Sequence, residues 1–304
     1  MPDDLMPPAP APTTSYCYRH PQTATGVHCT RCGRPICTEC MIQAPVGFQC
    51  PECVAEAKKD FRADPGRALR RGVSVTSVLL VAIAVPFVLE LVMGGPGSLM
   101  NGPDGQTLFD LGAMQPFAIA AGQFWRLFTA MFLHVGLLHI AFNAYALWIF
   151  GRMVERDYGR VQMLLIYLVS GFLASVASYV WSDPRTLSVG ASGAIFGIFG
   201  AFIAYNYRRR NTALGSANLR SAITLIALNA FLAFAVRGID WRAHGGGLLA
   251  GLACGFIAEG WGPPAQRRLI RVAGYTALMA IGIALVVYRT NQLREAFGTI
   301  LGIT

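Results

Sequence analysis

Long apolar segments separated by short polar connections occupy most of the chain beyond residue 72. A helix that crosses a membrane needs about 20 consecutive, mostly apolar residues. Seven segments reach or approach this length, and we predict a transmembrane helix in each: 73–93, 136–154, 161–181, 190–207, 220–237, 243–261 and 270–288. The connection 94–135 is a long and partly apolar interruption. The pattern predicts an all-α polytopic membrane protein, a bundle of about seven transmembrane helices.

The segment before this bundle has a different composition. Residues 1–15 are polar and rich in proline, which predicts a disordered tail, and residues 16–55 hold seven of the eight cysteines. A basic linker, 56–72, leads into a membrane domain at 73–290, and 291–304 form a predicted C-terminal tail. Only 13% of the residues are charged, compared with about 25% in soluble domains. The composition therefore favours a membrane protein that carries a small polar head.

The cysteine-rich head contains four pairs of metal-ligand residues, and two residues separate the members of each pair. The pairs are Cys17/His20, Cys29/Cys32, Cys37/Cys40 and Cys50/Cys53. Such spacing lets one turn present two ligands to a tetrahedral ion, as structural zinc sites require. Eight ligands fill two closed sites, so we predict two structural zinc ions in a small zinc-binding domain. Disulfides explain the fourfold repeat of this spacing poorly, and reduced thiolates indicate the cytosol.

The alternating order of the four pairs resembles the cross-braced B-box and RING-like zinc modules. This resemblance implies that the first and third pairs share one ion and that the second and fourth share the other. The first set is then Cys17, His20, Cys37 and Cys40, and the second is Cys29, Cys32, Cys50 and Cys53. A closed metal site has no open position for catalysis. We therefore expect the head to bind a cytosolic protein partner or to regulate the membrane domain.

The distribution of arginine and lysine predicts the orientation in the membrane. With the cysteine-rich head in the cytosol, most of the 25 basic residues fall on the cytosolic side, as the positive-inside rule requires. We predict a multi-pass protein of the cell membrane, with its N-terminus in the cytosol and its C-terminus outside. The triplet Arg208–Arg210 is expected to contact membrane lipid headgroups, not nucleic acid.

Four polar side chains recur at a similar depth in the outer half of the predicted bundle: Ser192, His244, His139 and Asn143. A serine hydroxyl becomes a strong nucleophile when a base takes its proton, and His244 is the one histidine of the last four predicted spans. His139 and Asn143 are four residues apart, so they share a helix face. With the backbone N–H of Ser192 they supply donors for an oxyanion. These groups are the set that acyl transfer needs.

Glycines on two of the predicted spans explain how Ser192 and His244 could meet. Both spans carry glycines at intervals of four: Gly193 and Gly197 on the fourth span, and Gly247, Gly251 and Gly255 on the sixth. Glycine lets the backbones of membrane helices approach closely. We therefore expect these two helices to be in direct contact.

The motifs GASGAIFG, HIAFN and AHGGGLLAG resemble the signatures of the rhomboid intramembrane serine proteases. The pair Trp125-Arg126, in the long connection before the second span, resembles a loop motif of the same family. The resemblance covers roughly residues 73–290. It implies a rhomboid-like bundle and a serine endopeptidase that cleaves transmembrane protein substrates near the outer face of the membrane, with no metal in the reaction.

The resemblance also implies a role for each of the four polar residues. Ser192 is the nucleophile and His244 the general base of a two-residue dyad. His139 and Asn143 bind the oxyanion together with the backbone N–H of Ser192. No carboxylate is evident beside His244, which agrees with a dyad. Phe196 stands where this family often has a tyrosine that packs on the histidine, and we expect the ring face alone to support activity.

Two other functions fit parts of the pattern. A non-cleaving rhomboid-like protein would bind membrane helices without cutting them, and it would be expected to lack Ser192 or His244. A transporter or channel would need charged residues along a path through the bundle, whereas Glu90 and Glu259 are predicted to lie near the ends of spans. Each polar residue alone has a structural explanation as a bridge between helices. Their joint occurrence at one depth favours the protease.

Overall fold

The computed structural model describes residues 15–44, 47–56, 73–235, 238–260, 263 and 265–301. The chain divides into two compact units, residues 1–73 and 74–304. The predicted disordered tail, apart from Ser15, and the predicted basic linker, apart from Glu56, lie outside the described residues.

The first unit contains two short antiparallel hairpins. Strand β1 (Ser15–Tyr16) pairs with β2 (Ala24–Thr25), and β3 (Ile42–Gln43) pairs with β4 (Phe48–Gln49). Its buried apolar side chains are Ile36 and six cysteines. A unit of this size buries too little apolar surface to stabilise its fold by that means alone. Its cysteines lie in two groups that could each hold a metal ion, and bound metal would add to the stability of such a unit.

The second unit is helical, and its long helices follow the order of the predicted spans. The first helix is α1 (Val75–Gly94). Four short helices follow: α2 (Ser98–Asn101), α3 (Gly105–Leu111), α4 (Pro116–Ala120) and α5 (Arg126–Thr129). Next come α6 (Gly136–Ala146) and α7 (Arg152–Tyr158), and the π-helical turn Leu147–Gly151 joins them. The remaining helices are α8 (Arg160–Trp181), α9 (Ser192–Arg208), α10 (Ala213–Ala235), α11 (Trp241–Glu259) and α12 (Arg267–Leu301).

Among the described residues, four helical segments are long and apolar enough to cross a membrane by length and composition alone. They are α1, the continuous segment Gly136–Tyr158, α8 and Arg267–Gly298 within α12. The predicted all-α membrane bundle is confirmed.

Two helices extend beyond their predicted bounds. Helix α10 begins at Ala213, seven residues before the predicted span 220–237. Helix α12 continues to Leu301 with a kink at Phe297, whose backbone angles are not helical, so most of residues 291–301 of the predicted tail are helical. This extension packs on the connection between α1 and α6: the ring of Phe297 contacts that of Phe117, and Arg294 donates a hydrogen bond to the carbonyl oxygen of Ala120 at 2.8 Å.

The carboxylate of Glu155 fixes the N-terminal end of α1. It accepts hydrogen bonds from the backbone N–H groups of Val75 and Thr76, both at 2.9 Å, and from the hydroxyls of Ser74 and Thr76, both at 2.7 Å. The first amides of a helix have no partner within the helix, and a negative charge is favourable beside them. Because Glu155 lies on α7, this cluster holds α7 against the start of α1.

Helix α9 lies at the centre of the unit, with 12 of its 17 residues buried. Its backbone is in direct contact with that of α11. A methyl group added at Gly251 would overlap the carbonyl oxygen of Gly197, and one at Gly247 would overlap that of Gly193. The contact predicted from the glycine spacing is therefore present, and it brings the first turns of α9 and α11 together.

We predict that Gly251→Ala destabilises the protein by about 1–3 kcal/mol, because the added methyl group forces α9 and α11 apart. The measurement is denaturant unfolding in detergent, followed by helical circular dichroism. Gly245→Ala on the same helix is the matched control, because a methyl group there meets nothing within 4 Å. The control should be as stable as the parent or more stable by up to about 1 kcal/mol, given the helix propensity of alanine. Equal stability of the two variants would contradict the proposed contact.

Candidate active site and metal centres

The first turns of α9 and α11 bring a serine and a histidine into hydrogen-bond contact. Ser192 is the first residue of α9, and His244 lies at the fourth position of α11. The Nε2 atom of His244 is 2.8 Å from the Oγ atom of Ser192. A base within this distance can take the hydroxyl proton directly. The two residues are 52 positions apart in the chain, so the helix contact described above creates the pair.

An aromatic ring supports the imidazole of His244. The ring of Phe196 stacks on it with 4.2 Å between the ring centroids and 13° between the planes. The other ring nitrogen of His244, Nδ1, is buried and has no hydrogen-bond partner among the described residues. Stacking and the bond to Ser192 therefore hold the ring in place.

The protonation of His139 follows from its hydrogen bonding. The backbone N–H of Val135 donates to Nδ1 of His139 at 3.2 Å. A neutral imidazole that accepts at Nδ1 carries its proton on Nε2. A methyl group at Gly190 would lie 2.9 Å from this Nε2 and 3.6 Å from Oγ of Ser192. Nε2 of His139 and the hydroxyl of Ser192 therefore both border the space beside Gly190.

Asn143 lies one helical turn after His139. Its Nδ2 atom donates to the carbonyl oxygen of His139 at 2.9 Å, and the residue is buried. An amide nitrogen has two hydrogens, so one remains after this bond. Both residues lie on α6, and the imidazole of His139 lies beside Gly190, two residues before Ser192. The structure therefore brings Ser192, His244 and His139 into one region.

The segment that enters α9 is fixed by the connection between α1 and α6. Gly190 has a φ of 132°, which favours glycine. Its N–H donates to the carbonyl oxygen of Ala130 at 2.9 Å. Ser188 and Met114 form an antiparallel bridge through both of their amides. These contacts hold the backbone that carries the N–H of Ser192. Because Ser192 is the first residue of α9, this N–H has no hydrogen-bond partner within the helix.

Arg126 organises the same connection from within. The side chain is buried, and its Nη1 donates to the carbonyl oxygens of Phe109 and Ala113 at 2.6 and 3.0 Å. Its Nε donates to the side chain of Gln123 at 2.7 Å. The guanidinium also stacks on the ring of Phe109. The interpretation of Arg126 as a residue that holds the loop agrees with these contacts.

Two carboxylates near the site were not identified from the sequence as parts of it. Asp240 caps the N-terminus of α11, four residues before His244, and accepts hydrogen bonds from Ser178 and Ser188. Glu90 lies near the end of α1, as expected, and it is also fully buried and accepts a hydrogen bond from the backbone N–H of His134 at 2.8 Å. An aspartate just before an apolar helix is an N-cap signal, and this signal could have indicated Asp240. No local signal indicated Glu90.

The cysteine-rich head brings its eight predicted ligands into two groups. In each group the ligand atoms all lie within 4.8 Å of one another. The first group is Cys17, His20, Cys37 and Cys40, and the second is Cys29, Cys32, Cys50 and Cys53. These are the two sets that the alternating order implies. Three thiolates with one imidazole, and four thiolates, are the donor sets of closed tetrahedral zinc sites.

The pKa values of the thiols are consistent with a cation binding between them. Burial opposes ionisation of Cys17, but hydrogen bonds from the backbone of Cys37, Arg19 and His20 lower its pKa to about 6. Burial and the neighbouring thiol groups of Cys17 and Cys37 raise the pKa of Cys40 to about 11. Adjacent thiolates repel one another. All the thiols of a group are therefore deprotonated together when a cation binds between them.

The fold and the geometry of the membrane unit define a helical membrane protein with a serine–histidine pair at the start of two packed helices. A sequence profile described as "Rhomboid domain" matches residues 121–260. The chain is 33% identical over 181 residues to "Putative rhomboid protease YdcA" of Bacillus subtilis (strain 168), a match that covers 59% of this chain and 87% of the relative. The chain therefore belongs to the rhomboid family.

Two further relatives differ more in length. "Rhomboid protease GluP" of Bacillus subtilis (strain 168) is 35% identical over 234 residues, which cover 76% of this chain and 44% of that protein. "RHOMBOID-like protein 6, mitochondrial" of Arabidopsis thaliana is 38% identical over 160 residues, 51% of each chain. The chain thus spans about half the length of these two relatives. Relatives named as proteases support a serine hydrolase at the level of the family.

We predict that the purified full-length protein contains two zinc ions per chain, measured by inductively coupled plasma mass spectrometry. Cys37→Ser should reduce the content to about one ion by removing a ligand of the first group, and Cys50→Ser should do so for the second. Cys254→Ser is the matched control, because this buried cysteine lies in neither group, and it should retain both ions. A Cys37→Ser or Cys50→Ser variant with two tightly bound ions would contradict the assignment.

Proposed function

We propose that this protein is an intramembrane serine endopeptidase that cleaves transmembrane protein substrates near the outer face of the membrane. The observation that carries the proposal is the 2.8 Å contact between Ser192 Oγ and His244 Nε2 within a membrane bundle of the rhomboid family. The proposed side-chain donors for the oxyanion are on α6, and the proposed dyad and its backbone donor are on α9 and α11.

The proposed reaction has two stages. In the first, Oγ of Ser192 attacks the carbonyl carbon of the substrate peptide bond while Nε2 of His244 takes the hydroxyl proton. The bond to the amine then breaks, and His244 returns its proton to the leaving nitrogen, which leaves an ester on Ser192. In the second stage, His244 removes a proton from water and the water oxygen attacks the ester carbon. The ester bond to Oγ then breaks, the acid product leaves, and Ser192 takes the proton from His244.

The oxyanion that forms in both stages needs donors that are already in place. The first proposed donor is the N–H at Nε2 of His139, and the hydrogen bond that Val135 donates to Nδ1 supports a proton on this nitrogen. The unused amide hydrogen of Asn143 and the backbone N–H of Ser192 are the other proposed donors. Each lies on a helix or on a segment fixed by backbone hydrogen bonds, so little reorganisation is needed when charge develops.

The arrangement favours a dyad over a triad. The Asp240 carboxylate accepts bonds from Ser178, Ser188 and the N–H of Ala243, and Nδ1 of His244 has no hydrogen-bond partner among the described residues. The stacked ring of Phe196 instead orients the imidazole. We therefore expect the phenylalanine to support catalysis in place of the tyrosine that is frequent at this position in the family.

The proposed orientation places the N-terminus in the cytosol and the C-terminus outside. The distribution of basic residues supports it. At the end of α9 opposite Ser192, Arg209 pairs with Glu259 at 2.9 Å and stacks on Tyr205. Arg210 stacks on Tyr207 at the same end. Arg209 therefore joins α9 to α11, and the basic end as a whole is suited to lipid phosphates on the cytosolic side.

We predict that purified protein in proteoliposomes cleaves a model transmembrane substrate, and that Ser192→Ala and His244→Ala each lower kcat by about 1000-fold or more. Cleavage is measured by gel and by mass spectrometry of the products. The control Ser170→Ala removes a buried hydroxyl that bonds only to its own helix at Ile166, and it should retain activity. Cleavage by Ser192→Ala would refute the dyad. A folded parent that binds the substrate without cutting it would favour the non-cleaving alternative.

We infer that the two metal groups hold zinc ions that stabilise the cysteine-rich head and take no part in hydrolysis. Each group supplies four ligands, so neither leaves a coordination position for substrate. The head is a separate compact unit, residues 1–73. A stable unit with closed metal sites is suited to bind a cytosolic protein, and we propose this role for it.

We predict that deletion of residues 1–60 leaves kcat for a purified transmembrane substrate within about threefold of the parent, because the dyad and its donors all belong to the second unit. The measurement is the proteoliposome assay described above, with helical circular dichroism to verify that the truncated chain is folded. Loss of all activity in a folded truncated protein would show that the head is part of the catalytic unit.

A further inference from the structure

The half-buried carboxylate of Asp240 connects the segment before Ser192 to the helix that carries His244. Asp240 is the N-cap of α11, and its Oδ1 accepts a hydrogen bond from the N–H of Ala243 at 3.1 Å. Its Oδ2 accepts from the hydroxyl of Ser188 at 2.7 Å and from the hydroxyl of Ser178. These three donors belong to α11, to the segment between α8 and α9, and to α8.

The bond to Ser188 acts on the segment that leads into α9. Ser188 lies four residues before Ser192, and its backbone forms the bridge with Met114. The bridge holds the backbone of this segment from one side, and Asp240 holds the side chain of Ser188 from the other. Gly190, between Ser188 and Ser192, is fixed in turn by Ala130. The entry to α9 therefore has few degrees of freedom left.

The bond to Ala243 acts on the first turn of α11. The main-chain carbonyl oxygen of Asp240 also accepts a hydrogen bond from the N–H of His244 at 3.1 Å. The side chain and the main chain of Asp240 therefore both hold this turn. A carboxylate at a helix N-terminus is favoured by the helix dipole as well as by the amide that it accepts. The position of the His244 side chain along α11 is therefore coupled to Asp240.

We propose that Asp240 is a positioning residue that sets the distance between Ser192 and His244. Its carboxylate makes no contact with either side chain, and it acts through Ser188 on one side and through the first turn of α11 on the other. The proposal rests on the proposed function. Its physical basis is that a nucleophile and base must be held to a fraction of an ångström, and a misplacement of about 1 Å costs on the order of 100-fold in rate.

A carboxylate is suited to this role because it accepts several bonds and donates none. Three donors converge on it from three elements, and among the residues that the structure describes no lysine or arginine pairs with it. A shorter side chain with one oxygen can cap α11 but cannot also reach Ser188 and Ser178. The substitution Asp240→Ser therefore separates the capping function from the connection to the segment before Ser192.

The test measures kcat and KM for a transmembrane substrate in proteoliposomes with Asp240→Ser, Ser188→Ala and the double variant. We expect each single variant to lower kcat by about tenfold or more with KM within twofold, because substrate binding is not affected. We also expect the double variant to be no slower than the slower single variant, because each of the three variants removes the same hydrogen bond between Asp240 and Ser188. Asp183→Ser is the control: it makes the same change at an exposed aspartate in the same segment, and kcat should stay within twofold.

A second readout does not require a substrate. The rate at which a fluorophosphonate probe labels Ser192 should fall in Asp240→Ser and Ser188→Ala by a factor similar to that for kcat, in protein whose unfolding midpoint shows that it is folded at the assay temperature. Unchanged labelling and kcat in both variants, strictly multiplicative effects in the double variant, or a rise in KM alone would overturn the proposal. If the parent neither cleaves nor reacts with the probe while Ser192 and His244 are intact, the proposed function fails instead.

Discussion

The direct backbone contact between α9 and α11 is the constraint on which the candidate site depends. Ser192 and His244 lie in the first turns of these two helices, so the distance between them is set where the helices pack. Glycines along the contact leave no side chain that would separate the helix axes. A shift of one residue along either helix moves its side chains by about 1.5 Å. That shift would break the 2.8 Å contact between the two residues.

The connection between α1 and α6 provides the second constraint, because it fixes the groups around the pair. The carbonyl oxygen of Ala130 orients Gly190, and the N–H of Val135 determines the protonated nitrogen of His139. The guanidinium of Arg126 satisfies carbonyl oxygens that the irregular backbone of this connection leaves without helical partners. The buried carboxylate of Glu90 likewise accepts a hydrogen bond from the backbone N–H of His134. An irregular segment thus becomes rigid enough to hold the groups beside Ser192 that are the proposed oxyanion donors.

The two units of the chain reach stability by different physical means. The membrane unit satisfies its backbone hydrogen bonds within helices, as a lipid environment requires, and it packs small residues at the centre. The head has two hairpins of two residues a strand and few apolar side chains. Its buried residues are mainly cysteines, and they lie in two groups that could each hold a metal ion. The first unit therefore has little apolar packing and two candidate metal sites, whereas the second is held together by helix packing.

The sequence by itself determined the long helices, the four polar residues proposed for the site and the two groups of candidate metal ligands. Those features have local patterns: apolar runs, a four-residue spacing on one helix, and repeated pairs of cysteines. Only the tertiary structure decided that α12 continues to Leu301 against Phe117, and that Asp240 bonds to Ser178 and Ser188. The physical reason is that such contacts join side chains more than 50 residues apart. Their existence depends on how whole helices pack, and no local period in the sequence encodes that packing.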